Sequence, residues 1–409
     1  MIWQLNWKRL CFYSLCVLFA GLTFSTALAE TMIFVALVFW LVWKFQQGRP
    51  SFGRGWDTGF ILLAAFTIFC ALTFLWSEFP KQSGKGILKV FEHFMLMWIA
   101  RDIFFERKEK KDFGTVLLWI FTVIMLDSAF QWWTGKDFIR GFSGVPASSG
   151  FRLMASFKGY GIYASFLVMT LPYVIASAVE RRKYSKRDIL TVATGLLAVS
   201  GAVCLFLTRS RGGLLSFTGS GFVLLILRRE WKRMVLLLGV LLLLISLLPK
   251  GMVIHLDAEN QEQSLVERYY LWDRAVQVIR ATPFGGTGIN TYAAAHARYD
   301  KTKNWRVRNY YAHNGYLQTA AETGLTGLGL FLAGLWFFFA GVLKGLKSKE
   351  NDPDGRCLWG ILTGLFGFLI LVFVDTVLHN NESVILFWFF MGLCKAYADS
   401  MAMSAEDVS

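Results

Sequence analysis

A chain of 409 residues with 55% hydrophobic and 17% charged side chains is much less polar than a soluble domain, in which about a quarter are charged. Its 7 prolines and 37 glycines exclude a collagen-like or disordered chain. The net charge of +14 sits mainly in short loops between apolar blocks, as expected of cationic loops on one side of a bilayer and not of a nucleic-acid binder.

Apolar runs of about 15 to 25 residues suit a hydrocarbon core about 30 Å thick. Twelve are predicted: 10–28, 31–45, 58–76, 86–100, 113–134, 159–179, 189–208, 212–227, 234–249, 325–345, 357–378 and 383–399. The expected fold is all-α, a polytopic membrane protein with about 12 transmembrane helices and a long periplasmic loop that itself contains helices. Residues 1–403 form one integral-membrane domain with 250–315 as its catalytic insert, and 404–409 form a frayed cytoplasmic tail. Lys8, Arg9, an apolar run and Ala27-Leu28-Ala29 mimic a signal peptide, but the run is as long as a span and is read as retained.

Alternate loops test the orientation. With the N-terminus inside, every inner loop is basic: Lys8 and Arg9; Lys44, Arg49 and Arg54; Arg101 to Lys111; Arg181 to Arg187; Arg228 to Arg233; Lys344 to Arg356. The short outer connections at 29–30 and 379–382 carry no Lys or Arg. Both termini are therefore placed on the cytoplasmic side of what is read as an inner membrane. The outer charges cluster at 135–158 and 250–312, with Arg209 and Arg211, and need a separate reason to be there. Cys11, Cys16, Cys70, Cys204, Cys357 and Cys394 lie in or beside apolar blocks without a C-x-x-C pair, and read as small buried residues.

Candidate chemistry begins at Arg209-Ser210-Arg211-Gly212-Gly213, which joins two spans through almost no loop. An arginine at a span end needs an anionic partner or must snorkel, and a guanidinium fork suits a pyrophosphate. In the long loop, Ser264-Leu265-Val266-Glu267 reads as a capping box that starts a helix, with Leu265, Tyr269, Trp272, Val276 and Ile279 on one stripe. Arg268 lies at the edge of that stripe, as an interfacial ligand or as a snorkelling surface residue. Pro283 ends the helix before the tight turn Gly285-Gly286-Thr287-Gly288. From Arg298 to Arg308, five basic residues against one acid suit an anionic surface or a phosphate. His313 and Asn314 then lead into a helix that carries Glu322, and a histidine there is well sited as a base. No H-E-x-x-H, Walker A or G-x-S-x-G motif and no outer acidic cluster occurs, so neither a metal nor any other cofactor is expected.

Thr208-Arg209-Ser210-Arg211-Gly212-Gly213, Arg268 with Trp272 and Ala275, Pro283 with Gly286 and Gly288, and His313-Asn314 with Leu317, Glu322, Gly324 and Gly327 follow in order within a multi-span frame. In these features the chain resembles the O-antigen ligase/polymerase superfamily of bacterial envelope glycosyltransferases, mainly over 150–390. The resemblance implies inverting, metal-independent transfer on the periplasmic face, from a glycan on undecaprenyl pyrophosphate to a sugar hydroxyl. It implies that Arg211 and Arg268 hold the pyrophosphate, with Arg209 as the rival of Arg211. It gives His313 the role of activating the acceptor, with Asn314 and Glu322 in support. The acceptor is lipid A-core in a ligase, the favoured reading, or another lipid-linked glycan in a polymerase. A transporter, with Glu92, Asp127 and Asp375 along a path through the membrane, is the alternative from another class.

Overall fold

In a bilayer only a helix or a closed barrel satisfies the backbone, so long apolar runs without strand-like alternation fold as helices. The computed structural model describes residues 6–47, 56–146, 150–184, 188–236, 238–239, 258–299, 311–346 and 352–406. The helices are α1 (Trp7–Gly21), α2 (Thr26–Gln46), α3 (Thr58–Leu72), α4 (Pro80–Ile103), α5 (Arg107–Thr134), α6 (Tyr160–Tyr184), α7 (Ile189–Leu207) and α8 (Arg211–Leu227). They continue with α9 (Ala258–Ala281), α10 (Tyr292–His296), α11 (Gly315–Leu346), α12 (Pro353–Val374) and α13 (Asn381–Glu406). The one sheet among the described residues is a two-strand hairpin, β1 (Val145–Pro146) with β2 (Phe151–Arg152).

Among the described residues, eight helices are long and apolar enough to cross a membrane: α2, α3 with its 3-10 extension to Trp76, α5, α6, α7, α11, α12 and α13. Helix α8 is apolar but shorter. The chain is an all-α, multi-pass membrane protein. The predicted span 234–249 falls almost wholly outside the described residues, as do His255 and most of the basic run 298–308.

Several boundaries differ from expectation, and three of them are instructive. The first turn lies at residues 22–25, not 29–30, because Ser25 accepts the Leu28 amide at 3.3 Å and caps α2, leaving Ala27, Leu28 and Ala29 as good helix formers inside it. Ser264 does not start its helix, since α9 already runs at Ala258 through the helix-favouring Ala258-Glu259-Asn260-Gln261-Glu262-Gln263. Helix α13 continues to Glu406, past Ser404 where the sequence places the start of the polar tail.

Packing follows small residues and rings. Helices α6 and α12 touch so closely that a Cβ on Gly364 would sit 2.2 Å from the Met169 carbonyl oxygen. Helix α1 is tied into the core by Phe19, whose ring lies 5.3 Å from Phe113 and 6.1 Å from Phe389. One end of the bundle gathers the basic loops, and there many cations are paired with carboxylates within and between helices. Asp102 meets Lys44 at 2.7 Å and Arg101 at 3.0 Å, while Asp399 meets Arg101 at 2.8 Å and Lys395 at 2.6 Å. Lys395 also reaches Asp57 at 2.8 Å, Arg356 pairs with Glu180, and Lys8 with Glu106. The opposite end carries the candidate site.

Candidate active site

Helix α11 organises the site. Asn314 is its cap: the carboxamide oxygen accepts the amides of Tyr316 and Leu317, both at 3.0 Å, and the residue is 3% exposed. Capping is what the residue type supplies, since an aspartyl or asparaginyl oxygen satisfies amides that the first turn leaves orphaned. His313, one residue earlier, has φ 47°, a left-handed conformation that costs a non-glycine residue about 1–2 kcal/mol. That conformation turns the imidazole toward the end of α12, where Nδ1 lies 3.2 Å from Asp375 Oδ1.

Asp375 is held in turn. The Thr376 amide donates to Asp375 Oδ1 at 2.7 Å, and the Asp375 amide closes the last turn of α12 on Leu371. Burial pushes the carboxyl up, but the His313 hydrogen bond and charge, the Thr376 amide and the Arg268 charge outweigh it and hold it below the usual carboxylate range. The residue is an ionised partner for an imidazole that gains a proton.

The long loop docks on α11 backbone to backbone. The Thr287 amide donates to Ala321 O at 3.0 Å, Gly288 to Glu322 O at 2.9 Å, and the Leu325 amide to Pro283 O at 2.7 Å. Gly324 breaks α11 at φ 69° and Gly286 has φ 66°; a Cβ on either would lie 2.3 Å from backbone of the other segment. Glu322 is 1% exposed and fully engaged: it accepts the Asn290 amide at 2.7 Å, the Tyr292 amide at 3.2 Å and Gln318 Nε2 at 3.1 Å, with His379 Nε2 at 3.6 Å. Its work is to fix the loop to the helix.

Docked this way, α9 buries Leu271, Ala275 and Val278 against a small cluster that includes Ala321 and Tyr292. The predicted stripe is therefore offset: Tyr269 is 67% exposed, because the small Ala275 face permits closer approach to α11 than a tyrosine would. Trp272 edges against Phe373 on α12, with ring centroids 6.1 Å apart. Arg268, one turn before Trp272, acts electrostatically on Asp375.

The α7–α8 turn reaches the same place. Ser210 caps α8 by accepting the Gly213 amide at 3.1 Å, which puts Arg211 in the first turn and Arg209 before it at φ 52°. A Cβ on Gly212 would meet Val374 at 3.1 Å, so the turn that carries Arg211 packs on the residue that precedes Asp375. From α6, a Cβ on Gly161 would lie 3.9 Å from Asp375 Oδ2. His313 and Arg268, far apart in sequence, thus act on Asp375, with the turn of Arg211 against the end of the same helix. Arg211 is exposed, Arg209 is half-buried and Arg268 is half-buried.

Three neighbours escape sequence reasoning. Asp375 reads there as a residue on a path through the membrane, and only the return of α12 brings it to His313. Its position just beyond an apolar run on the outer side is the signal that was available. Arg152, in β2, stacks its guanidinium 4.5 Å from the Tyr160 ring centre, next to Gly161, and its buried Nε has no partner. The Leu153 amide, donating to Leu207 O at 3.0 Å, pins that strand to the end of α7. His379 packs its ring at a tilt against Tyr311, with centroids 5.7 Å apart, and lines a cavity of about 140 Å³ with His93, Asn290, Glu322 and Trp388. Of the other acids proposed for a path, Asp127 accepts the Phe138 amide at 2.8 Å and anchors an outer loop.

This arrangement has relatives. The family described as "O-Antigen ligase" matches residues 196–332, a segment that contains Arg209, Arg211, Arg268, His313, Asn314 and Glu322. The exopolysaccharide production protein ExoQ of Rhizobium meliloti (strain 1021) is 22% identical over 360 residues, 84% of this chain and 78% of that one. Both comparisons support a likeness to the O-antigen ligase/polymerase superfamily. A stretch of 148 residues, 26% identical, is shared with an uncharacterized protein of Haemophilus influenzae, covering 35% of this chain and 36% of the other. Asp375 and Arg152 both fall outside the segment matched to the family.

Proposed function

We infer that the protein transfers a glycan from a polyprenyl pyrophosphate, in the class undecaprenyl pyrophosphate, to a sugar hydroxyl at the periplasmic face of a bacterial inner membrane. The observation that carries this reading is the His313–Asp375 pair, 3.2 Å apart, set beside Arg211 and Arg268. The acceptor oxygen attacks the anomeric carbon as His313 takes its proton, through Nε2 with Nδ1–H held by Asp375. The bond from that carbon to the pyrophosphate oxygen breaks with inversion, and the leaving diphosphate departs with the electron pair. Arg211 and Arg268, with Arg209 in reach of the same turn, neutralise it, a task that cations in a site poor in water perform without a metal. The glycosyl–phosphate bond that breaks is already activated by its diphosphate leaving group, so no nucleotide is needed.

The acceptor distinguishes two reactions. The family description points to ligation onto lipid A-core, whereas the relative matched along 84% of the chain is named for exopolysaccharide production. The longer match favours the second, a polymerase that joins one lipid-linked glycan to another. Deletion of the gene separates them: loss of a polymerase leaves single lipid-linked repeats, and loss of a ligase leaves long polymer on the carrier. The chemistry itself is tested with purified protein and a synthetic polyprenyl-pyrophosphate oligosaccharide. Product of inverted configuration, formed undiminished in EDTA, is expected; retention of configuration or abolition by EDTA overturns the reading.

A further inference from the structure

At the basic end, helices α6, α8 and α12 leave a groove that no catalytic argument uses. Its apolar wall runs along Ile175, Val179, Phe217 and Leu224, and it opens at Trp359 into a second hollow beneath α8 and α11. The two hollows hold about 320 and 600 Å³, far more than one water molecule takes up. Around their junction stand Arg228, Arg229, Arg233, Lys344 and Arg356.

Carboxylates answer only part of this charge. Glu230 serves both Arg228, at 3.2 Å, and Arg233, at 2.6 Å, and Glu180 serves Arg356. Arg229 and Lys344 are exposed, and among the described residues neither has an ion-pair partner. The decisive feature is Trp359. It is 8% exposed, lines both hollows, lies under Arg228 at 5.7 Å from ring centre to guanidinium carbon, and its buried Nε1–H has no acceptor among the described residues. A buried indole donor without an acceptor carries a free-energy cost, which an anionic oxygen in the hollow removes.

An apolar groove that ends in cations and one orphaned N–H has the shape and polarity of a phospholipid. We propose that this is a binding site for an anionic phospholipid, with its phosphate taken by Trp359 Nε1–H, Arg229 and Lys344, and an acyl chain along Ile175, Val179, Phe217 and Leu224. Zwitterionic lipid fits the groove but not the charge, and free phosphate fits the charge but not the groove.

Delipidated full-length protein in neutral detergent, titrated with phosphatidylglycerol or phosphatidylethanolamine under native mass spectrometry, tests this. Phosphatidylglycerol binds at least about tenfold more tightly, and inorganic phosphate at millimolar concentration does not displace it. Arg229→Gln with Lys344→Gln lowers its affinity by about thirtyfold, at about fivefold per cation. Trp359→Phe keeps the ring and the fold but removes the donor, and weakens the anionic lipid selectively. Equal affinity for the two lipids, displacement by phosphate alone, or an unchanged preference in the folded variants overturns the proposal. Because binding is read without turnover, these outcomes are separate from any result on glycan transfer.

Discussion

Two clusters at opposite ends of the bundle treat positive charge in opposite ways. At the basic end Lys44, Arg101 and Lys395 are each within 3 Å of a carboxylate on another helix, and the pairs lace α2, α3, α4 and α13 together. At the other end Arg211 and Arg268 have no ion-pair partner among the described residues, and Arg152 keeps a buried nitrogen unsatisfied. The carboxylate nearest to them, Asp375, is committed to His313. Paired cations beside a low-dielectric core hold helices in register; cations kept unpaired there are costly unless a ligand completes them. The contrast separates cations that tie helices together from cations left open to a ligand.

The sharpest way to break the contrast is His313→Ala, which lowers turnover by about 10²–10⁴ while expression and thermal unfolding stay close to wild type. Near-normal transfer by the folded variant removes the base from the mechanism. Arg211→Lys retains charge but loses the fork, and a fall of about 10² in turnover is expected, read as single-turnover transfer from a synthetic donor. Full activity with lysine excludes bidentate binding of phosphate. Gly286→Ala forces a Cβ to within 2.3 Å of Glu322 backbone, so the loop that carries Arg268 undocks; loss of transfer should accompany protease sensitivity between α9 and α11.

The other end should respond differently. Arg101→Gln leaves Asp399 and Asp102 short of a partner and lowers stability by about 3 kcal/mol, with KM and turnover unchanged in the surviving folded protein. A change in KM would show that the ends are coupled. The smallest effect concerns pH. The folded Asp375 carboxyl titrates below its unfolded value, so its contribution to stability is present above about pH 3.9 and is lost as pH falls through the folded value. Asp375→Asn should therefore reduce the drop in thermal stability between neutral and strongly acid pH, measured by unfolding in detergent.

Hydropathy by itself determined that the chain is helical and crosses a membrane many times, since a bilayer leaves the backbone no other open-chain solution. It also placed many helix boundaries, and residue order was enough to pick out Arg209, Arg211, Arg268 and His313 as candidates and to show the family resemblance. What it misplaced were local competitions: the Ser25 cap against an alanine-rich run, and Ser264 against a good helix-forming segment before it. Residue order also suggested supporting roles for Asn314 and Glu322 without their form, a helix cap and a buried clamp on the loop. Only the tertiary structure decided that Asp375, 62 residues beyond His313, becomes its partner, and that Arg152 arrives from the first half of the chain. Periodicity records which face of a helix is apolar, but contacts between helix ends depend on how close the backbones come. That distance is set by small residues such as Ala275, Gly286 and Gly324 meeting across the bundle.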